Sequence, residues 1–196
     1  MTSIVGSLSA TRIISLTAYA FALASCAIAW IRALRVSQRR RLAAVLTLLE
    51  LAIILDLVFN GRWLLHNLLA TSAMARNLYG ERFGPQHLAL DLLGSAAATG
   101  IGLALWLFRG RPGAILAASG GVLTWCFWWV EVVSLHTVDT FLYNPVHGVM
   151  PVKLAWATCS LMTGAGMLWD TFALPGHVVR AGKCPAEAPS ASLAHS

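Results

Sequence analysis

Charged side chains are scarce in this chain: they make up 11% of its 196 residues, where a soluble domain carries about a quarter. With 58% of residues hydrophobic and a mean hydropathy of +0.70, there is more apolar surface than a core of this size can hide, and lipid accounts for the surplus. Lys and Arg outnumber Asp and Glu by 14 to 8, yet they sit in short segments between apolar runs. That is the charge pattern of membrane topology; a nucleic-acid surface would gather them on one soluble face. Metal and disulfide frameworks are missing as well. Cys26, Cys126, Cys159 and Cys184 form no CxxC and no metal-type spacing, and three of them fall inside apolar runs, where cysteine behaves as a small hydrophobe. No HExxH occurs, no motif of a phosphatidate phosphatase or CDP-alcohol transferase, and no repeat at a fixed period.

What the chain does have is long apolar runs. Crossing the hydrocarbon takes about 20 residues of helix. Five stretches reach that length: about 13–34, 43–69, 88–108, 114–136 and 152–172. The expectation is an all-α integral membrane protein, a bundle of five transmembrane helices forming one domain over residues 1–175. The segment 176–196, rich in Ala, Ser and Pro, has too few large apolar residues to pack and is expected to be a disordered cytoplasmic tail. Arg32, Arg35 and Arg39 to Arg41 follow span one, Arg109 and Arg111 join spans three and four, and Arg180 and Lys183 follow span five. With an odd number of spans these clusters share one side, which the positive-inside rule makes the cytoplasm. The N-terminus is then outside. Leu23-Ala24-Ser25-Cys26 resembles a lipoprotein signal, but the apolar run continues through Trp30 into a basic cluster, so an uncleaved first span is expected. The Ala-, Leu- and Arg-rich composition suggests a bacterial cytoplasmic (inner) membrane.

Span two is the oddest stretch. It carries Glu50, Asp56, Asn60, Arg62, His66 and Asn67, polar groups that each cost several kcal/mol in hydrocarbon unless partnered. Asp56, Asn60, Trp63 and Asn67 fall on one helical stripe, with Arg62 and His66 on a neighbouring face. On span three, Asp91, Ser95, Ala98 and Gly102 align. On span four, Thr124, Trp128 and Glu131 do so. The topology sets Asp56, Asn60, Arg62, His66, Asp91, Glu131, His136 and Asp139 at one depth near the outer boundary, whereas Glu50 and Asp170 fall towards the cytoplasmic side. Asp56, Asp91 and Glu131 are therefore expected to point into the bundle, with Arg62 and His66 as partners.

Several chemistries suit such a cluster. His66 and His136, on different helices at similar depth, are placed as axial ligands to a b-type haem, and Trp125, Trp128, Trp129 and Trp156 would line a haem or quinone pocket. With Glu131 the same histidines could hold a divalent metal and run hydrolase or transferase chemistry, Asp91 or Glu131 serving as the base and Arg62 stabilising negative charge. Arg62, Arg76, Arg82 and Lys153 could take a lipid headgroup. The plain structural alternative is that Asp–Arg and Glu–His pairs clamp the helices. The reading that covers most of the cluster is an outward-facing polar pocket binding a ligand or cofactor at Asp56, Asn60, Arg62, His66, His136 and Asp139. The protein then works as a subunit of a membrane complex, with other membrane subunits or a second copy as partners besides the lipid bilayer.

Overall fold

The computed structural model describes residues 10–33, 37–76, 83–133, 142–144 and 150–173. Among them the chain forms six helices and no strand: α1 (Ala10–Arg32), α2 (Ser37–Phe59), α3 (Gly61–Ala75), α4 (Phe83–Leu107), α5 (Pro112–Val133) and α6 (Pro151–Phe172). Four of these, α1, α2, α4 and α5, are long and apolar enough to cross a membrane. α6 has the length, at 22 residues, but its buried face carries Ser160, Thr163 and Asp170, and it is not among these four. The architecture is that expected of a helical membrane protein. The segments 134–141, with His136 and Asp139, and 174–196 lie outside the described residues.

Prolines and glycine punctuate the elements. Pro112 and Pro151 open α5 and α6, where the missing N–H costs nothing and φ is already helical. Gly110, at φ 78°, reverses the chain between α4 and α5, a backbone state that suits a residue without Cβ.

The expected second span differs most. It is two helices, because Asn60 adopts the left-handed conformation (φ 52°, ψ 39°) and ends α2. Asparagine followed by glycine is a turn signal of known chemistry, since asparagine tolerates that conformation better than other residues with a side chain. α2 also begins earlier than expected, at Ser37. Glu50 consequently lies close to the middle of its helix, not near one end.

The bundle is organised around α6, which packs against α5, α1 and α2. Antiparallel α5 and α6 approach until their backbones touch. A Cβ at Gly120 would stand 2.7 Å from the Cys159 carbonyl oxygen, and one at Gly166 would stand 2.7 Å from that of Gly113. Small residues at such an interface let dispersion contacts accumulate without competition from lipid. Two apolar groups fill the remaining space. Cys26, Ala29, Ala43, Leu46, Ala117 and Met167 form one, and Tyr19, Ile53, Leu142, Val152 and Trp156 form the other. Cys26 is thus fully buried within a continuous α1.

α4 stands apart. Its substantial contacts are with α5 alone, where Gly100 meets Val122, and Ala104 is the one buried residue of its 25. Replacing Gly120 by Val should lower the thermal unfolding midpoint in detergent by the equivalent of about 1–3 kcal/mol, as overpacking does. Gly94→Ala, where an added Cβ meets nothing within 4 Å, should leave the midpoint unchanged or raise it. Equal effects of the two substitutions would show that the α5–α6 approach is not limiting.

Candidate functional site

Arg62 is the centre of the polar cluster. The left-handed turn at Asn60 places it in the first turn of α3, where its backbone N–H donates to Asp56 Oδ1 at 2.8 Å. Asp56, at the end of α2, therefore caps the start of α3, neutralising a donor that the helix cannot satisfy itself and facing the positive end of its dipole. The Arg62 side chain continues into the bundle. Its Nη1 lies 2.5 Å from Glu131 Oε2, an ion pair not aligned as a hydrogen bond, and its Nε lies 3.6 Å from Asp56 Oδ2. Glu131 is completed by α6, whose Trp156 Nε1–H donates to Oε1 at 2.5 Å. The Arg62 guanidinium also stands 5.7 Å from the centre of the Trp156 ring. Four helices, α2, α3, α5 and α6, thus meet at one guanidinium. The three charged side chains are at most 11% exposed, so the attraction acts in a medium of low dielectric.

One turn further along α3, His66 Nδ1–H donates to the Val132 carbonyl at 3.0 Å, and Gln86 Nε2 of α4 donates to the Val133 carbonyl at 3.2 Å. These carbonyls lie in the last turn of α5 among the described residues, where a helix leaves acceptors for side chains to take. His66 and Gln86 therefore act as side-chain caps, His66 fixing α3 and Gln86 fixing α4 across this part of α5.

Of the residues singled out from the sequence, Asp56, Arg62, Glu131 and His66 are brought together here. Asn60 is exposed at the break between helices. The stripe Asp56, Asn60, Trp63 and Asn67 does not exist as one face, because it assumed an unbroken helix. Asp91 is not inward-facing: it is exposed on α4, on the side turned away from α5, and Ser95 bonds back to its carbonyl at 2.8 Å. α4 meets α5 instead through Leu93, whose carbonyl takes the Cys126 thiol at 3.8 Å, and through Gly100. Among the described residues no group of three or more His, Cys, Asp or Glu side chains could hold a metal ion. The proposed ligand set of His66, His136 and Glu131 is visible only in part, with Glu131 turned to Arg62 and Trp156. Trp125, Trp128 and Trp129 pack on one another, Trp125 stacked on Trp128 at 6.1 Å between ring centres.

Two groups escaped the reading of the sequence. At the opposite end of the bundle, Asp170 takes a two-pronged bond from Arg111, Nε to Oδ1 at 3.1 Å and Nη2 to Oδ2 at 2.6 Å, and Arg39 Nε adds a contact at 3.2 Å. This fork is the geometry for which guanidinium is suited. It ties α2, the α4–α5 turn and α6 together, and Arg32 lies over the Phe172 ring beside it. Asp170 is an acid at the end of an apolar run facing basic loops, and that was the available signal. The second group surrounds Glu50, which Ser160 reaches at 3.2 Å. Its signal was weaker, since only the true start of α2 reveals its depth.

Comparison with protein-family models, with characterised proteins and with solved structures finds no match. Removing the central guanidinium by Arg62→Ala leaves two buried carboxylates facing each other and should cost about 3–5 kcal/mol in thermal or denaturant unfolding. Adding Glu131→Gln, which keeps the acceptor for Trp156, should restore part of that loss. Additive effects in the double variant would sink the ion pair as the source of the cost.

Proposed function

We propose that this chain is a five-span protein of a bacterial cytoplasmic membrane that serves as one subunit of a larger membrane complex. In this reading α1, α2, α4, α5 and α6 cross the bilayer, the N-terminus is outside, and α3 lies over the outer end of the bundle. The gathering of Arg32, Arg39 and Arg111 around the Asp170 end supports that orientation, because basic residues concentrate on the cytoplasmic side.

The observation that carries the subunit reading is the free face of α4. A helix of 25 residues centred on a hydrocarbon layer about 30 Å thick puts Asp91 about 6 Å from the midplane. A carboxylate exposed to lipid there costs several kcal/mol, and chains keep such groups only where protein or water meets them. Gly94, Ala98 and Gly102 lie along the same exposed side and permit a second helix to come close. The occupant that fits is a transmembrane helix of another subunit, bearing Lys, Arg or a hydrogen-bonding side chain at the depth of Asp91. A second copy docked two-fold through this face would set Asp91 against Asp91, which charge repulsion disfavours.

Photocrosslinking in native membranes tests this, with the four native cysteines replaced. A photoactivatable label at Ala98→Cys should join the chain to a polypeptide of different sequence, whereas one at Val58→Cys, exposed on α2, should meet lipid alone. Lipid adducts at both positions, or adducts only to a second copy, would overturn the reading.

A ligand at the outer end is supported by His66. With Nδ1–H given to a backbone carbonyl, the ring is held in the tautomer that leaves Nε2 as a ligand atom, as a metal-binding histidine usually is when its other nitrogen is tied to a carbonyl. That favours haem b or a divalent metal over a lipid headgroup, whose natural partner, Arg62, is already engaged by two acids. The purified protein should then show a Soret band, or bound metal by elemental analysis, and His66→Ala should abolish it. A spectrum with aromatic absorption only and no stoichiometric metal removes the cofactor and leaves the docking role.

A further inference from the structure

Every buried acid at the two ends of the bundle has an arginine: Asp56 and Glu131 share Arg62, and Asp170 has Arg39 and Arg111. Glu50 does not. It is fully buried near the middle of α2, Ser160 of α6 donates to its Oε2 at 3.2 Å, and its Oε1 has no hydrogen-bond partner. Thr163, one turn along α6, donates its hydroxyl to the Cys159 carbonyl at 3.0 Å and turns its oxygen within reach of the same carboxylate. Helical geometry brings a further hydroxyl from α5 towards this level. Gly120 abuts Cys159 and Thr163 of α6, and Gly121 abuts Leu46 and Leu49 of α2. Thr124 follows these glycines by four and three residues and so faces the seam between α2 and α6, one turn nearer the Arg62 end. Counting along α5 from these glycines sets Thr124 near the level of Glu50 and Ser160. The Thr124 hydroxyl is fully buried and also has no partner.

The groups around Glu50 supply no positive charge. From α1 come Tyr19 and Cys26, and from α6 comes Cys159, all close enough to interact electrostatically with it. α5 contributes the neutral Thr124 at this level, and Arg62 is held by its own two acids. An ionised carboxylate buried without a counter-charge is one of the costliest arrangements a protein can hold. Something small must neutralise it.

We propose that Glu50, Thr124, Ser160 and Thr163 form a binding site for a small monovalent cation, a sodium ion or a proton, in the middle of the bundle. The hydrogen-bonding groups at the carboxylate are hydroxyl oxygens, the donor type a hard cation requires, with the Cys26 and Cys159 thiols further out. Its single carboxylate balances one positive charge, whereas a calcium or magnesium site of this size would be left with charge uncompensated. The donors come from α2, α5 and α6, so occupancy couples to how these three helices pack.

The test is thermal unfolding of the full chain in detergent, with two arms. In the first, sodium chloride replaces choline chloride at constant ionic strength and alkaline pH. A midpoint that rises with sodium in the wild type but not in Glu50→Gln identifies sodium as the occupant. In the second, pH is varied in choline chloride. Here the folded chain binds the proton and the unfolded chain releases it, so stability is present at low pH and is lost as pH rises. A pH dependence that Glu50→Gln removes, together with an infrared carbonyl stretch of a protonated carboxyl that the same variant lacks, identifies the proton. If Glu50→Gln does not fold, Thr124→Val and Ser160→Ala take its place. Each removes one hydroxyl and should weaken half-saturation by sodium about tenfold, or displace the pH midpoint. Variants that match the wild type in both arms, with no carboxyl stretch assigned to Glu50, overturn the site.

Discussion

The bundle depends on Arg62 finding two acids at once, and the left-handed residue at Asn60 makes that possible. On an uninterrupted helix, six residues of separation would set Arg62 about 120° around the axis from Asp56, too far for their side chains to face each other. Breaking the helix returns Arg62 over the end of α2. Its own N–H then meets the Asp56 carboxylate while its side chain runs on to Glu131. A guanidinium in a medium of low dielectric holds its position firmly, since leaving either acid alone costs more than the pair gains. The angle of α3, the closure of the α5 end by His66 and Gln86, and the placement of the Trp156 indole all follow from that requirement.

α6 transmits the constraint to the other end. Its Trp156 completes the Arg62 cluster and its Asp170 collects Arg39 and Arg111, while glycines between them bring α5 and α6 into backbone contact. Both ends are pinned by charge and the middle by close packing. Glu50 sits in that middle with hydroxyls around it and an oxygen left over. α2, α5 and α6 meet around it and are tied together at both ends, so whatever neutralises it acts on their shared packing. α4 joins this framework only along α5, through Gln86, Leu93 and Gly100, and the face that carries Asp91 is left exposed.

Much of this was legible in the residues. The all-helical architecture follows from long apolar runs, although the run expected over 43–69 is two helices, and the basic residues gather at one end, because a helix in lipid must satisfy its backbone internally and keep its arginines near water. The pairing of Asp56, Arg62 and Glu131 was also visible as a set of costly groups at one depth. Asn60-Gly61 carried a turn signal that the surrounding hydrophobicity masked. The orientation of Asp91 was out of reach. The small residues beside it suggest close packing, but they cannot say whether the neighbour belongs to the same chain.

The sequence by itself determined that the chain is helical, with runs long and apolar enough to cross a membrane, and that its few charges demand partners. Only the tertiary structure decided which partners they have. Burial sets the demand residue by residue, from composition and run length, whereas pairing depends on the rotation and start of each helix, and a shift of a few residues changes both. Glu50 shows the difference: a start at Ser37 moves it from the edge of a span to its centre, and packing against α6 gives it hydroxyls in place of an arginine.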